Sequence, residues 1–137
     1  PRPGRRAATI LIVDDDGNSC VLLQRVLTRA GFAVKTTGHG RDALDYLRGA
    51  AVDLVVTDML MPEMDGIELM QILRSEWPDL PVLAMSGVDE WEKYLGIAMN
   101  LGAKAGLRKP IEGEALLQAV NRVLDGRHRA KVAALAD

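Results

Sequence analysis

Two patterns of apolar residues alternate along the chain. Short runs rich in β-branched residues predict five strands, at residues 9–13, 33–36, 53–57, 81–85 and, more weakly, 105–108. Between and after these runs, apolar residues recur with helical spacing and predict five helices. Glycines mark the expected ends of the first, second, fourth and fifth helices, namely Gly31, Gly49, Gly102 and Gly126. Asp65 and Glu68 have the spacing of a capping box at the start of the third.

The β-α alternation defines the expected fold class. Strands that are apolar on both faces and alternate with helices predict a parallel sheet covered on both sides. The sequence therefore predicts a doubly wound (βα)5 α/β domain with right-handed crossovers. We expect this domain to span residues 8–126, with residues 1–7 and 127–137 as flanking tails or a linker.

Composition narrows the class of protein. The chain has 137 residues, of which 48% are hydrophobic and 26% charged, which is typical of one globular domain. The net charge of -2 argues against direct nucleic acid binding by this domain. No apolar run approaches the roughly 20 residues of a membrane span, so no membrane association is expected. The single cysteine, Cys20, excludes an internal disulfide and favours a cytoplasmic location. The first residue is Pro1 rather than Met, which favours an excised N-terminal domain over a complete chain.

Charged and hydroxyl side chains follow four of the five predicted strands. Ligands in an open parallel α/β sheet bind outside the carboxyl ends of the strands, so these side chains should converge. They are Asp14, Asp15 and Asp16 after the first strand, Asp58 at the third, Ser86 at the fourth and Lys109 after the fifth.

This combination of groups indicates phosphoryl chemistry. Converging carboxylates raise each other's pKa unless a cation joins them, and hard oxygen ligands suit Mg²⁺. Lys109 adds a positive charge and Ser86 a neutral donor, both of which suit the oxygens of a phosphoryl group. A carboxylate in such a site can itself be the nucleophile and form an aspartyl-phosphate.

Four segments carry a resemblance to a known family. They are "ILIVDDD", "DLVVTDMLMPEMDG", "PVLAMSG" and "KP", and the second is highly specific. The sequence resembles the receiver domain of two-component response regulators, as in chemotaxis receivers, over about residues 8–126. The resemblance implies a flavodoxin-like three-layer sandwich with a parallel sheet in the order 2-1-3-4-5.

The resemblance also implies a metal site. Asp15 matches the direct Mg²⁺ ligand of the family and Asp14 its water-mediated companion. Asp58 matches the phosphoacceptor, which also binds the metal, and the backbone carbonyl of Leu60 would complete the protein ligands. Asp16 has no metal role in this assignment, and we interpret it as the cap of the first helix.

The implied function is a phosphorylation switch rather than a conventional enzyme. Asp58 would take a phosphoryl group from a phosphohistidine of a sensor histidine kinase or histidine phosphotransfer protein, in a Mg²⁺-dependent reaction. Ser86 and Lys109 would bind the phosphoryl group, and Lys109–Pro110 would be a cis peptide. Output would pass through the face of helix 4, strand 5 and helix 5. The only other activity implied is slow autodephosphorylation. A C-terminal effector domain, a downstream target protein and homodimerisation all remain open.

The sequence departs from the family at three positions. Gly106 occupies the place of a Tyr or Phe that normally moves with the hydroxyl, so we hypothesise that Trp91 or Tyr94 replaces it. Leu60 is apolar where many relatives are polar, which predicts slow-to-moderate phosphate loss. Ile111 replaces a frequent Phe, a mild apolar change.

Three other functions are alternatives to the phosphorylation switch. A pseudo-receiver, a phosphorylation-independent protein-interaction module, is favoured only by Gly106. An aspartyl-phosphate phosphatase is rejected because it would need a second Asp where this chain has Leu60. A flavin-binding domain is rejected because its phosphate loop would not be acidic.

Overall fold

The computed structural model describes residues 7–61, 64–87, 89 and 91–136, and the side chains of α5 as far as residue 126. Strands and helices alternate strictly. The strands are β1 (Thr9–Val13), β2 (Ala33–Thr37), β3 (Leu54–Asp58), β4 (Val82–Ser86) and β5 (Ala105–Arg108). The helices are α1 (Gly17–Arg29), α2 (Gly40–Gly49), α3 (Gly66–Glu76), α4 (Trp91–Asn100) and α5 (Gly113–Ala136).

The five strands form one parallel sheet. Its order is β2-β1-β3-β4-β5, so the doubly wound α/β fold and the implied strand order are both confirmed. The central strands β3 and β4 are buried along their whole length, whereas the edge strands β2 and β5 are partly exposed. Only strands covered on both faces need to be apolar throughout, which explains why β5 was the weakest strand signal.

Alternation along the strands divides the core into two layers. Leu11, Val13 and Ala84 point to the side covered by α2, α3 and α4. Ile12 and Leu83, their neighbours in the chain, point to the side covered by α1 and α5. Successive side chains of a strand face opposite sides of the sheet, so each strand supplies both layers. This gives the three-layer sandwich that the resemblance implied.

Two helices begin at aspartates that cap them. The carboxylate of Asp16 accepts a hydrogen bond from the backbone N–H of Asn18 (3.0 Å), which confirms its interpretation as a cap. The carboxylate of Asp65 accepts from the N–H of Glu68 (2.9 Å), as the predicted capping box requires. Gly31, just after α1, has φ 98°, a conformation that favours glycine.

The prediction that the fifth helix stops at Gly126 was wrong. α5 continues through this glycine to Ala136, so most of the predicted C-terminal tail is helical. A glycine within a helix costs only about 1 kcal/mol relative to Ala, and the Ala, Arg, Lys and Leu that follow are good helix formers. Among the described helices, none is long and apolar enough to cross a membrane.

Candidate functional site

The carboxyl ends of four neighbouring strands form one site. Asp58 is the last residue of β3 and Ser86 the last of β4. Asp14 directly follows β1, where its N–H donates to the carbonyl of Thr37 (3.0 Å). Lys109 directly follows β5, and its N–H donates to the carbonyl of Ser86 (2.8 Å). The sheet therefore brings together the acids, the hydroxyl and the amine that the sequence placed at strand ends.

The Lys109 ammonium joins two buried carboxylates. Its Nζ lies 2.9 Å from Oδ2 of Asp14 and 2.8 Å from Oδ2 of Asp58. The side chain of Asp14 is fully buried and that of Asp58 is 9% exposed, while that of Lys109 is 22% exposed. Buried charges require partners, because desolvation costs several kcal/mol per ion. Among the described residues, Lys109 is the cation that pairs with both acids.

Burial and hydrogen bonding shift the pKa values of this pair. Burial raises the pKa of Asp58, and hydrogen bonds from Lys109 and from the N–H of Leu60 only partly oppose it. Burial lowers the pKa of Lys109, but its hydrogen bonds to Asp58 and Asp14 outweigh burial and raise it. Lys109 is therefore a stable cation at neutral pH, whereas the charge on Asp58 lacks full compensation.

The carboxylates fit a divalent metal ion. One ligand oxygen from each of Asp14, Asp15 and Asp58 lies within 4.8 Å of the others. Three carboxylates and one ammonium leave two uncompensated negative charges, which one divalent cation would neutralise. Asp15 is exposed at the rim, so this group could also reach a hydrated ion. Carboxylate oxygens with access to water are the donor set that suits Mg²⁺.

Leu60 lies beside Asp58 in the loop after β3. Its backbone N–H donates to Oδ1 of Asp58 (3.0 Å), so the loop backbone contacts the carboxylate directly. Its side chain is 44% exposed. The role of its carbonyl as a metal ligand stays a prediction.

The hydroxyl of Ser86 is the group that most needs a further partner. The residue is 3% exposed, and its Oγ is the one fully buried side-chain N or O without a hydrogen bond among the described residues. A buried polar atom without a partner is rare and costs about 1–3 kcal/mol. An acceptor that enters the site would remove this cost.

Other predicted residues lie around the site. The Lys109–Pro110 peptide is cis, as the resemblance implied. The Cys20 thiol donates to the carbonyl of Asp14 (3.2 Å), and burial together with the nearby charge of Asp14 raises its pKa. It is half-buried rather than fully buried. A hydrogen bond from Ser19 lowers the pKa of Asp16.

Gly66 contributes to the site in a way that the sequence analysis missed. A Cβ atom at this position would lie 2.5 Å from the carbonyl oxygen of Asp58 and 2.6 Å from Cα of Met59. The N–H of Gly66 also donates to the carbonyl of Met59 (3.2 Å). Only glycine allows α3 to start this close to the backbone at the end of β3. The available signal was the glycine that ends the specific motif "DLVVTDMLMPEMDG".

Neither histidine is placed in the described site. His39, which precedes α2, is exposed. The side chain of His128 lies outside the described residues.

Comparisons with known proteins agree with this geometry. Residues 10–121 match the family described as the response regulator receiver domain. Response regulator MprA of Mycolicibacterium vanbaalenii is 36% identical over 115 residues, which cover 84% of this chain and 49% of that protein. The alkaline phosphatase synthesis transcriptional regulatory protein PhoP of Bacillus subtilis is 35% identical over 126 residues, 91% of this chain and 50% of that protein. The chain therefore spans about half the length of these two relatives.

Solved structures show the same fold. A response regulator from Chloroflexus aurantiacus superposes with a TM-score of 0.84 at 30% identity, over 88% of this chain and 99% of that one. NtrX from Brucella abortus gives a TM-score of 0.91 at 25% identity, over 96% of this chain and 30% of that one. Receiver domains bind Mg²⁺ at an acidic cluster, and Asp14, Asp15 and Asp58 form such a cluster here. The chain belongs to the receiver domain family of two-component response regulators.

Proposed function

We propose that Asp58 is the phosphoacceptor of a signalling switch. The observation that carries the proposal is the Lys109 ammonium, which joins buried Asp58 and Asp14 beside the unpaired hydroxyl of Ser86. This arrangement supplies a carboxylate nucleophile, a cation and a hydroxyl donor from the carboxyl ends of neighbouring strands. These groups can attack phosphorus and bind the oxygens of a phosphoryl group in transfer.

The transfer would proceed from a phosphohistidine of a partner protein to Asp58. A carboxylate oxygen of Asp58 attacks phosphorus in line, the new O–P bond forms and the P–N bond to the histidine breaks. Lys109 holds a phosphoryl oxygen through its ammonium. Mg²⁺ bound by Asp14, Asp15, Asp58 and the Leu60 carbonyl would neutralise the remaining phosphoryl charge.

Phosphorylation would then change the population of two conformations. The new dianion accepts a hydrogen bond from the Ser86 hydroxyl, which has no other partner among the described residues. The Lys109 N–H is bonded to the Ser86 carbonyl, so movement at the end of β4 reaches the end of β5. This supports an output through the face of α4, β5 and α5.

A groove beside the site would admit the phosphodonor. It has a volume of about 380 Å³, and Leu22, Ile111 and Lys109 line it. Leu22 is 60% exposed and Val21 next to it is 53% exposed. These side chains offer an apolar contact to a sensor histidine kinase or histidine phosphotransfer protein in the cytoplasm.

The exposed side chain of Leu60 also suggests the lifetime of the phosphoryl group. It stands next to Asp58 without a polar group to orient water. We expect slow-to-moderate phosphate loss for this reason. A half-life of seconds or less in buffer would contradict it.

The test is phosphorylation by a small phosphodonor. The protein is incubated with Mg²⁺ and acetyl phosphate, and the intact mass is measured. We expect a gain of one phosphoryl group, which disappears in Asp58→Asn and persists in the control Asp42→Asn, an exposed acid on α2. No gain in a protein that still binds Mg²⁺ would instead favour the pseudo-receiver.

A further inference from the structure

Gly106 in β5 leaves a notch that helix α4 fills. A Cβ atom on Gly106 would overlap Cδ1 of Leu95 and lie 3.1 Å from Cη2 of Trp91. The Trp91 ring therefore rests directly above the strand backbone. A side chain of α4 occupies the space that a side chain of β5 would otherwise take.

The notch lies beside the strand that carries Ser86. Gly106 pairs with Ala84 in the sheet register, and Ser86 pairs with Arg108. Ala84 belongs to the core layer covered by α4, and Ser86, two residues further on, points to the same side. The Trp91 ring therefore lies over the part of the sheet that contains Ala84, two residues before Ser86 in β4.

Helix α4 buries few of its side chains. Within α4, only Ala98 is fully buried. The ring of Tyr94 packs instead against the core layer of α2 to α4, with Lys93 Nζ 5.4 Å from its centroid. Trp91, rather than Tyr94, is therefore the aromatic residue at the notch.

We propose that Trp91 couples the state of Ser86 to the position of α4. The inference rests on the proposed phosphorylation of Asp58. When the Ser86 hydroxyl turns to the phosphoryl group, the end of β4 moves towards Asp58 and leaves room beside Ala84. The Trp91 ring, which already lies against Gly106, then shifts towards Ala84 and draws the start of α4 with it. Because Gly106 has no side chain, β5 does not block this shift.

Intrinsic fluorescence can report this movement. The chain has two tryptophans, and the other one, Trp77, lies at the opposite end of the sheet beside the loops that precede β3 and β4. In a Trp77→Phe protein, all tryptophan emission, excited selectively at long wavelength, comes from Trp91. On phosphorylation with acetyl phosphate and Mg²⁺ we expect a shift to shorter wavelength and weaker quenching by acrylamide. Trp91→Phe, in which Trp77 alone emits, should show neither change.

Three further variants in the Trp77→Phe background test whether the change at Ser86 reaches Trp91 through Gly106. Gly106→Ala fills the notch, and it should fold because the overlapping atom is the tip of the flexible Leu95 side chain. Its fluorescence response should be lost at equal phosphoryl load. Gly96→Ala is the matched control, since a Cβ there meets no atom within 4 Å, and it should retain the response. Ser86→Ala should lose the response per phosphoryl group bound.

The intact mass distinguishes a failure of the Trp91 coupling from a failure of the phosphoacceptor assignment. A full mass gain with unchanged Trp91 emission would overturn the coupling and leave the phosphoacceptor assignment standing. An undiminished response in Gly106→Ala would also overturn it. Absence of any mass gain would overturn the proposed function and the coupling together.

Discussion

Gly66 is the position next to Asp58 where the structure predicts a strong steric effect of a small substitution. In Gly66→Ala, the added Cβ would lie 2.5 Å from the carbonyl oxygen of Asp58 and 2.6 Å from Cα of Met59. Both are backbone atoms, so relief requires either α3 or the end of β3 to move. Overpacking of this kind costs about 1–3 kcal/mol.

Gly17 provides a matched control within the same chain. It is the first residue of α1 and follows the capping Asp16, just as Gly66 is the first residue of α3 and follows the capping Asp65. A Cβ on Gly17 meets no atom within 4 Å. Neither glycine has a positive φ, so the pair differs in the available space and not in backbone conformation.

Urea unfolding measures the difference between the two variants. We expect Gly66→Ala to lower the free energy of unfolding by about 1–3 kcal/mol. Gly17→Ala should leave it unchanged or raise it by up to about 1 kcal/mol, because Ala reduces the entropy of the unfolded chain. Gly66→Ala should also slow the mass gain with acetyl phosphate, since the displaced backbone belongs to Asp58. Equal stabilities of the two variants would refute the steric argument.

Three further predictions concern the charged site. Ser86→Ala should keep or raise the free energy of unfolding, by up to about 1 kcal/mol, because it removes a buried hydroxyl without a partner; a loss above this size in urea unfolding would contradict the unpaired state. Without Mg²⁺, stability should fall as pH rises from the ordinary Asp value of 3.8 through the raised pKa of folded Asp58, because the folded state holds that proton more tightly than the unfolded state. Lys109 keeps its stabilising charge throughout this window, since its raised pKa lies above the ordinary 10.5. Asp58→Asn should remove that part of the fall, and an identical pH profile would count against the raised pKa. Mg²⁺ at 100 times its Kd should stabilise the protein by about 2.7 kcal/mol, measured as a rise in Tm; in Asp15→Asn, which replaces an exposed acid, the same Mg²⁺ concentration should give a much smaller rise.

Sequence periodicity alone was sufficient for the order of elements and the fold class. Apolar runs covered on both faces identify strands such as β3 and β4, and the β-α alternation leaves few arrangements other than a parallel sheet. The boundaries were less secure, because hydrophobic spacing does not record where backbone hydrogen bonds end. Gly126 shows this: as a local signal it predicted a stop, but the good helix formers that follow carry α5 to Ala136.

The candidate site residues could also be named from the sequence, because the carboxyl ends of parallel strands meet at one edge. The contacts between these side chains could not be predicted from the sequence. The contacts of Lys109 with Asp14 and Asp58 join atoms 95 and 51 residues apart in the chain. That the Ser86 hydroxyl lacks a partner among the described residues likewise depends on how distant segments pack around it.

Gly66 and Gly106 also show what the sequence determines and what only the tertiary structure decides. In the sequence, Gly66 is only the last residue of a motif, and Gly106 stands where the family usually has an aromatic residue. In the tertiary structure, Gly66 lets α3 approach the backbone of Asp58, and Gly106 lets the side chains of Leu95 and Trp91 pack against β5. A sequence determines which side chains exist and how they alternate, because these follow from local geometry. Which space a missing side chain leaves, and what fills it, depends on how distant elements pack, and so only the tertiary structure decides it.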